Sequence, residues 1–295
     1  MIRFGQTEDI PELKKLWKEC FADEDAYIDA FFHAVYQGEH VLAVQENGAL
    51  IGASFFLPGS IYIEESWQQI RYVYALAVYP QYRGRGIAGR LLQEASDIYK
   101  APFIAQPAEE SLVAGFYEPL GFSKTFYLSK KQTALPQYDI QAAQSRAFHI
   151  QPADAEAYGR IRDERFKKYG YVRWPKEHLA FALSEHRANG GDALLVTGED
   201  REDILLYYTE GSKAFVTETT LTQEDAVSVL LQCLEQPCDT LILTGRVRDS
   251  RQCIGKDADG SMQEAQYQAE NSERRLTGVM RGSTCAGGYL NLTLD

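Results

Sequence analysis

The sequence has no apolar run that approaches the ~18 to 20 residues of a membrane-spanning helix. Its start, Met1-Ile2-Arg3-Phe4, lacks the charged and then apolar pattern of an export signal. Basic residues are also scarce, because 30 Lys and Arg stand against 42 Asp and Glu, giving a formal net charge of −12. Nucleic acid and anionic membranes repel so acidic a surface. We therefore expect a cytoplasmic protein that binds neither of them.

The sequence is also poor in groups that form disulfides or ligate metals. Its five cysteines are odd in number and widely spaced, which argues against a disulfide framework. Cys233 and Cys238 have no second pair of ligands to complete a zinc site. Asp257-Ala258-Asp259-Gly260 lacks the further ligands of a calcium loop. The sequence predicts free thiols and no bound metal.

Acidic residues are absent altogether from one stretch, between Glu65 and Glu94. The same stretch contains the arginines Arg71, Arg83, Arg85 and Arg90. An acidic protein thus leaves one segment positively charged, which indicates that the segment meets an anion.

The order of elements in this stretch also favours an anion site. Residues 72–78 are continuously apolar or aromatic, which predicts a buried strand that Pro80 closes. Residues 87–92 predict the start of an amphipathic helix. Gly84 and Gly86 precede this helix, where free N–H groups and the positive end of the dipole bind phosphate. A bare glycine pair more often caps a helix beside solvated arginines, but strand, turn, helix and local charge together favour a phosphate-bearing ligand.

Apolar spacing predicts the elements on either side. Ahead of the stretch we expect a helix from about Thr7, a helix over 25–36, and a hairpin over 40–56. Pro58-Gly59 is expected to begin a turn into residues 61–63, which form a further strand or an extension of the hairpin strand. After the stretch we expect the helix to reach Tyr99, a helix that includes Tyr117, and a closing strand over 122–128.

Two segments resemble the Gcn5-related N-acetyltransferase (GNAT) superfamily. Gln81-Tyr82-Arg83-Gly84-Arg85-Gly86 matches its Gln/Arg-x-x-Gly-x-Gly/Ala motif between a strand and a helix. Residues 116–122, Phe-Tyr-Glu-Pro-Leu-Gly-Phe, match its aromatic-Tyr-x-x-Leu-Gly-Phe segment. Both stand in the family order within about residues 1–130. The resemblance implies the GNAT fold, an α/β (α+β) arrangement in which helices flank a mixed central sheet, with acetyl-CoA as cosubstrate.

The resemblance also implies roles for individual residues. The loop amides would hold the pyrophosphate of acetyl-CoA. The next strand, 102–105, would separate from the strand over 72–78 and leave a slot. In this slot the end of the strand over 72–78 would pair with the pantetheine arm. The implied cofactor-binding residues are Leu76, Ala77, Val78, Arg83, Gly84, Arg85, Gly86, Ile87 and Ala88. Tyr117 would protonate the departing CoA thiolate, because a phenol with a pKa of about 10 is protonated at neutral pH. Without the resemblance, a tyrosine at this spacing would be assigned to the core.

No general base is visible in the sequence. Tyr72 and Tyr74 lie on the strand before the glycine turn, but no carboxylate does. A water chain or a carboxylate from elsewhere, such as the terminal carboxylate of Asp295, would have to serve. Asp23-Glu24-Asp25, between the first two helices, either borders the acceptor site or is a solvated loop.

The length of 295 residues favours two domains. We expect a catalytic domain over 1–132 and a polar linker over 133–146, within a polar segment that starts at Ser129. Residues 147–295 repeat the order of strands and helices, but no glycine turn stands between Thr219 and Glu224. This half is interpreted as a degenerate GNAT-like α/β domain without a cofactor site, an arrangement similar to the enhanced-intracellular-survival type of aminoglycoside acetyltransferase.

Three further expectations concern this second half. Residues 248–277 are polar and charged and are expected to form an exposed loop. The alternation over 288–294 predicts a final strand. Tyr169, Tyr171 and Trp174 either line a pocket that faces the first domain or pack within the second core.

The function expected from these features is transfer of acetyl from acetyl-CoA to a primary amine of a small molecule or peptide. A non-catalytic acyl-CoA-binding regulatory module is the alternative. Residues 84–89 also fit the Gly-x-Gly-x-x-Gly of dinucleotide enzymes, but the antiparallel hairpin upstream argues against that fold. A homo-oligomer is compatible with the sequence.

Overall fold

The computed structural model describes residues 1–135, 147–167, 171–234, 238–246 and 272–282. The elements of the first half are β1 (Ile2–Phe4), α1 (Ile10–Phe21), α2 (Asp25–Ala34), β2 (Val41–Glu46), β3 (Ala49–Ile63), β4 (Ser66–Val78), α3 (Ile87–Tyr99), β5 (Phe103–Ala105) and β6 (Ser123–Ala134). Those of the second half are β7 (His149–Pro152), α4 (Ala155–Phe166), β8 (Val172–Arg173), α5 (Lys176–Ala188), β9 (Gly191–Thr197), β10 (Glu202–Glu210), β11 (Lys213–Thr219), α6 (Gln223–Cys233), β12 (Thr240–Arg246) and β13 (Ser272–Arg281).

One mixed sheet runs through both halves of the chain, in the order β1-β2-β3-β4-β5-β13-β6-β12-β11-β10-β9-β7. β4 pairs with β5 in parallel, as β11 does with β12, and each of these two pairs is joined through a helix. The predicted mixed sheet flanked by helices is therefore confirmed, and so is the repeated order of elements in the second half.

The sheet corrects two boundaries predicted from the sequence. The expected linker overlaps β6, which continues through Ser129 to Ala134 because it pairs with β13 on one edge and with β12 on the other. Part of the expected loop over 248–277 is strand, since β13 begins at Ser272. Both segments are polar, and backbone pairing on the two edges of β6 places them in the sheet. The final strand expected over 288–294 and most of the linker lie outside the described residues.

The expected turn at Pro58 and Gly59 is also wrong, because β3 passes straight through both residues. Pro58 lies opposite Arg71 of β4, whose N–H donates away from β3 to the carbonyl of Pro102 at 2.9 Å. The pairing at this position therefore requires no N–H from residue 58, and a proline is tolerated. The turn comes after Ile63 instead, at Glu64 and Glu65, which both have positive φ.

Alternate residues of the first-half strands enter two separate hydrophobic clusters. Val41 and Ala43 of β2 pack with α1 and α2, whereas Leu42 and Val44 pack with α3. Successive side chains of a strand point to opposite faces, so α1 and α2 cover one face of the sheet and α3 covers the other.

The second half of the chain completes the first of these clusters. β8 pairs with β3 through Ser60 and Ile61. The Trp174 ring lies 5.3 Å from that of Tyr72 on β4, and Phe181 of α5 lies 5.8 Å from Phe31 of α2. The two halves thus share apolar core as well as one sheet.

A buried ion pair fixes α4 against β11. Arg162 Nε donates to Glu218 Oε2 at 3.0 Å, and both side chains are almost completely buried. The Tyr158 hydroxyl also donates to Glu218 Oε2, at 2.8 Å. Removal of one partner from such a pair leaves an uncompensated buried charge.

We predict that Glu218→Gln lowers the free energy of unfolding by about 3–5 kcal/mol, because it leaves Arg162 charged and buried. The matched control is Glu202→Gln, which removes an exposed ion pair with Arg160 and should change the same free energy by less than about 1 kcal/mol. Urea denaturation of the full chain measures both values. Equal effects of the two substitutions would contradict the importance of the buried pair.

Candidate active site

An opening separates the end of β4 from β5. The two strands pair only through Arg71 with Phe103, Tyr72 with Ile104, and Val73 with Ala105. The last part of β4, residues 74–78, has no partner on β5. Tyr74, Ala75 and Leu76 are partly exposed although helices cover both faces of this strand. The free end of β4 on the β5 side is the arrangement that the slot implied by the family resemblance requires.

A bulge in β4 lies at the start of this opening. The pairing with β3 passes from Ala53/Ala77 to Phe55/Tyr74, so β4 has one extra residue there. Ala75 takes φ = 46°, which lies in the left-handed region and costs an alanine about 1–2 kcal/mol. Such bulges are frequent beside active sites, where they redirect side chains or end the pairing of a strand.

The glycine turn presents unoccupied backbone donors at the same end of β4. Gly84 and Gly86 have φ of 76° and 70°, and a Cβ on either would meet no atom within 4 Å. α3 begins at Ile87, and the Arg90 N–H donates to the Gly86 carbonyl at 3.1 Å. No described residue accepts from the amides over 86–89. These donors and the positive end of the α3 dipole together suit an anion.

The neighbouring arginine side chains contact the protein itself. Arg83 Nε donates to the Val78 carbonyl at 3.0 Å, and its Nη2 lies 3.6 Å from Cys20 Sγ. Arg85 donates to Glu46 Oε2 at 2.6 Å. The sequence missed Glu46 because this residue comes from β2, outside the acid-free stretch. The unoccupied donors of the site are therefore backbone amides.

Tyr117 lies in a wide π-helical turn over Val113–Tyr117, where a regular helix was expected. It is only 8% exposed, and its ring packs 5.0 Å from Phe116 and 5.3 Å from Phe122. It belongs to the same hydrophobic cluster as Val78 and Ile87. Its hydroxyl bonds to none of the described residues. Burial raises the pKa of Tyr117 to about 12, so the phenol is protonated at neutral pH.

The predicted cofactor residues thus lie together along one path. Leu76, Ala77 and Val78 form the free end of β4, residues 83–86 form the turn, and Ile87 and Ala88 begin α3. Tyr117 approaches this path from the α3 face of the sheet. Asp295 and Tyr169 lie outside the described residues.

The remaining candidates have structural partners. Asp23 accepts from Trp17 Nε1 at 2.7 Å, and Asp25 lies 3.1 Å from Lys18 Nζ. These contacts favour a structural role for the acidic loop. Tyr171 and Trp174 are buried, and their rings pack on first-half aromatics of β4, so both face the first half, in apolar core that the two halves share.

The sequence did not reveal a pair of tyrosine hydroxyls beside the opening. The Tyr27 hydroxyl of α2 and the Tyr74 hydroxyl of β4 lie 2.6 Å apart. Tyr74 is the first residue of β4 beyond the β5 pairing, and its ring lies 5.5 Å from Trp17 of α1. The pair therefore borders the opening from the α1–α2 face, opposite to Tyr117.

Comparison with known proteins identifies the first half. The family model described as an acetyltransferase (GNAT) domain matches residues 1–125. Residues 1–125 form a GNAT acetyltransferase domain. This assignment implies acyl transfer from an acyl-CoA. No curated protein matches the sequence.

Solved structures match the GNAT fold over nearly the whole chain. A GCN5-related N-acetyltransferase from Anabaena variabilis is 13% identical with a TM-score of 0.70, and the match covers 95% of this chain and 72% of that one. A conserved protein from Enterococcus faecalis, described as a probable N-acyltransferase, is 13% identical with a TM-score of 0.69. The match covers 95% of this chain and 71% of that one. Eis1 from Mycobacterium abscessus is 15% identical with a TM-score of 0.66, and the match covers 95% of this chain and 73% of that one. At these identities the likeness concerns the fold.

Two features are absent from the part of the chain that the structure describes. Among the helices that the structure describes, none is both long and apolar enough to cross a bilayer. Within the same residues, no three His, Cys, Asp or Glu side chains are grouped so that they could hold a metal ion.

Proposed function

We propose that the protein is an acetyl-CoA-dependent N-acetyltransferase that acetylates a primary amine of a small molecule or peptide. The observation that carries the proposal is the row of unoccupied amides over 86–89, which lies at the end of β4 where that strand separates from β5. The slot suits a pantetheine arm, and the amides suit the pyrophosphate. Tyr117, the proposed proton donor, belongs to the same hydrophobic cluster as Val78 at the end of β4 and Ile87 at the start of α3.

The proposed roles follow from the groups that each residue presents. Residues 76–78 bind the pantetheine arm through their backbone, and N–H groups near Ala77 and Val78 polarise the thioester carbonyl. The turn from Arg83 to Gly86 and the helix start at Ile87 and Ala88 bind the pyrophosphate. Arg83 has to share the Val78 carbonyl with the cosubstrate or release it, because it bonds to that atom in this structure. Tyr117 donates its proton to the leaving thiolate.

A non-catalytic acyl-CoA-binding module is the second candidate. It is favoured by the burial of Tyr117, since a phenol with a pKa of about 12 is a weak acid. Turnover of acetyl-CoA by the wild-type protein with a panel of amines distinguishes the two functions.

We also propose that residues 1–132 carry catalysis and that residues 147–295 are a degenerate GNAT-like domain, with a linker between them that begins after β6 ends at Ala134. The N-terminus of α6, which corresponds to that of α3, is capped internally, because the Thr222 side chain accepts from the Asp225 N–H at 3.1 Å. Glu224 and Asp225 add negative charge to its first turn. These features argue against a second pyrophosphate site.

We predict that Gly84→Val abolishes CoA binding, because the side chain would fill the space in front of the free amides. Gly211→Val is the matched control, since Gly211 also has positive φ and open space around it but lies in the β10–β11 turn. Both substitutions strain the backbone, so both should lower the melting temperature. Isothermal titration separates strain from binding. A folded Gly84→Val protein with wild-type affinity would place the site elsewhere.

Tyr117→Phe should lower kcat by ~100-fold to 10,000-fold, because only the proton donor is lost. The affinity for CoA should change by less than about twofold, since the ring remains. Tyr99→Phe is the control, because burial also raises the pKa of Tyr99 to about 12, yet its hydroxyl donates to the Glu39 carbonyl at the other end of α3. Steady-state kinetics with acetyl-CoA measure both variants. An unchanged kcat for Tyr117→Phe would mean that chemistry is not rate-limiting or that another group protonates the thiolate.

Calorimetric titration of the full chain with CoA should give one site per chain. The N-terminus of α6 is capped and acidic, so it should not bind a second pyrophosphate as the free amides of α3 are proposed to do. Two equivalent sites would refute the proposal that the second half lacks a cofactor site.

A further inference from the structure

One face of α5 packs on α2, at the border of the opening. His178, Phe181, Ala182 and Glu185 recur at the spacing of a single helix face. The Phe181 ring lies 5.6 Å from Tyr27 and 5.8 Å from Phe31 of α2. This face of the second half therefore looks toward the α1–α2 side of the first half.

The direction of α5 places Glu185 near the beginning of α2. Burial and then the charge of His40 lower the pKa of His178 to about 4, so the start of α5 lies near His40, which follows the end of α2. Phe181 comes next and meets Phe31 and then Tyr27. Glu185 is one helical turn further along the same face. It therefore lies toward the first turn of α2, which contains Tyr27.

Glu185 is a partly buried carboxylate of this region that has no assigned structural role. Its side chain is partly buried, and no described residue donates to it or forms an ion pair with it. Burial raises the pKa of Glu185 above its ordinary value. Other carboxylates on the facing elements have partners: Asp23 with Trp17 at 2.7 Å, Asp25 with Lys18 at 3.1 Å, Asp29 with Lys14 at 2.6 Å, and Asp192 with Arg187 at 3.2 Å. Glu24 and Glu177 are exposed.

The Tyr27–Tyr74 pair supplies the other half of the site. Its two hydroxyls lie 2.6 Å apart at the mouth of the slot, and both side chains are partly exposed. Aromatic faces and hydroxyl oxygens both attract an ammonium group. The chain as a whole has a net charge of −12, which favours a cationic acceptor over an anionic one.

We propose that Glu185, contributed by the second half, is the general base that takes a proton from the ammonium group of the acceptor, while the Tyr27–Tyr74 hydroxyl pair positions the nitrogen. This inference rests on the proposed acetyltransferase function. The acceptor class that fits is a primary ammonium beside an apolar or aromatic group, because the rings of the two tyrosines pack against Trp17 and Phe181.

The proton and bond changes balance without a further reactant. The ammonium group gives one proton to Glu185, directly or along the tyrosine hydroxyls, and becomes a neutral amine. The amine nitrogen forms the new C–N bond, the C–S bond breaks, and sulfur takes the proton of Tyr117. The second proton lost by nitrogen passes to solvent, which reprotonates Tyr117. The products are the acetylated amine, CoA and the proton held by Glu185, which solvent removes.

The test compares Glu185→Gln with Glu177→Gln, a control on the exposed side of the same helix. Acetyl-CoA and β-phenylethylamine are the probes, with hexylamine as a second cationic amine and taurine as a zwitterionic amine whose sulfonate leaves it without net charge. Glu185→Gln should lower kcat/KM for the amine by about 100-fold or more, and Glu177→Gln by less than about twofold. Neither should alter CoA affinity. Taurine should be the poorest acceptor.

The pH profile separates a base from a structural residue. Wild-type protein consumes the ammonium form, so kcat/KM for total amine should be level between the pKa of Glu185 and that of the amine, and should fall as pH drops through the raised pKa of Glu185. Glu185→Gln can use only the free amine, so its kcat/KM should rise about tenfold per pH unit over that range. Tyr27→Phe and Tyr74→Phe should raise KM for the amine, with non-additive effects when combined with Glu185→Gln.

Other results would contradict the role of Glu185, the acceptor class or the proposed function. A level profile in Glu185→Gln, or a loss equal to that of Glu177→Gln, would refute the role of Glu185 and leave the acetyltransferase function intact. Wild-type protein that binds CoA but acetylates neither cationic amine would refute the acceptor class. Wild-type protein that binds no CoA would refute the proposed function itself.

Discussion

The constraint on which the rest depends is that β4 pairs with β5 for only part of its length. A central strand of a sheet normally has partners along both edges, because buried N–H and C=O groups without partners are costly. Here an extra residue opposite Ser54 puts Ala75 in the left-handed region, and β5 ends beside Val73. The freed end of β4 then runs directly into the turn at Gly84 and Gly86. The end of β4, the glycine turn and the start of α3 therefore present free backbone polar groups one after another along the chain.

This opening gives the two faces of the sheet different chemical characters. The α3 face carries Tyr117 among apolar neighbours, and burial keeps its phenol protonated. The α1–α2 face carries Tyr27 and Tyr74, joined through their hydroxyls, and it receives α5 from the second half. A thioester held in the slot would meet a proton donor from one side and an amine from the other. In the proposed reaction, β4 would therefore lie between the acid and the base.

The parts predicted well from the sequence are those that depend on local pattern. The strand before Pro80, the turn and the helix that ends at Tyr99 follow from apolar runs and glycine positions within about thirty residues. The parts that failed depend on distant partners. No local pattern shows that β6 continues past Ser129, because β12 and β13 supply its pairing. The Arg85–Glu46 contact and the Tyr27–Tyr74 pair were missed for the same reason.

β13 of the second half forms part of the sheet of the first half, between β5 and β6. β13 pairs with β5 through Phe103, Ile104 and Ala105, and with β6 on its other edge. β5 would otherwise present an unpaired edge next to the slot, and a strand this short has few other contacts to hold it in place. The far edge of the slot is therefore set by residues late in the chain. A sheet built in this way ties the geometry of the opening to the folding of the whole chain.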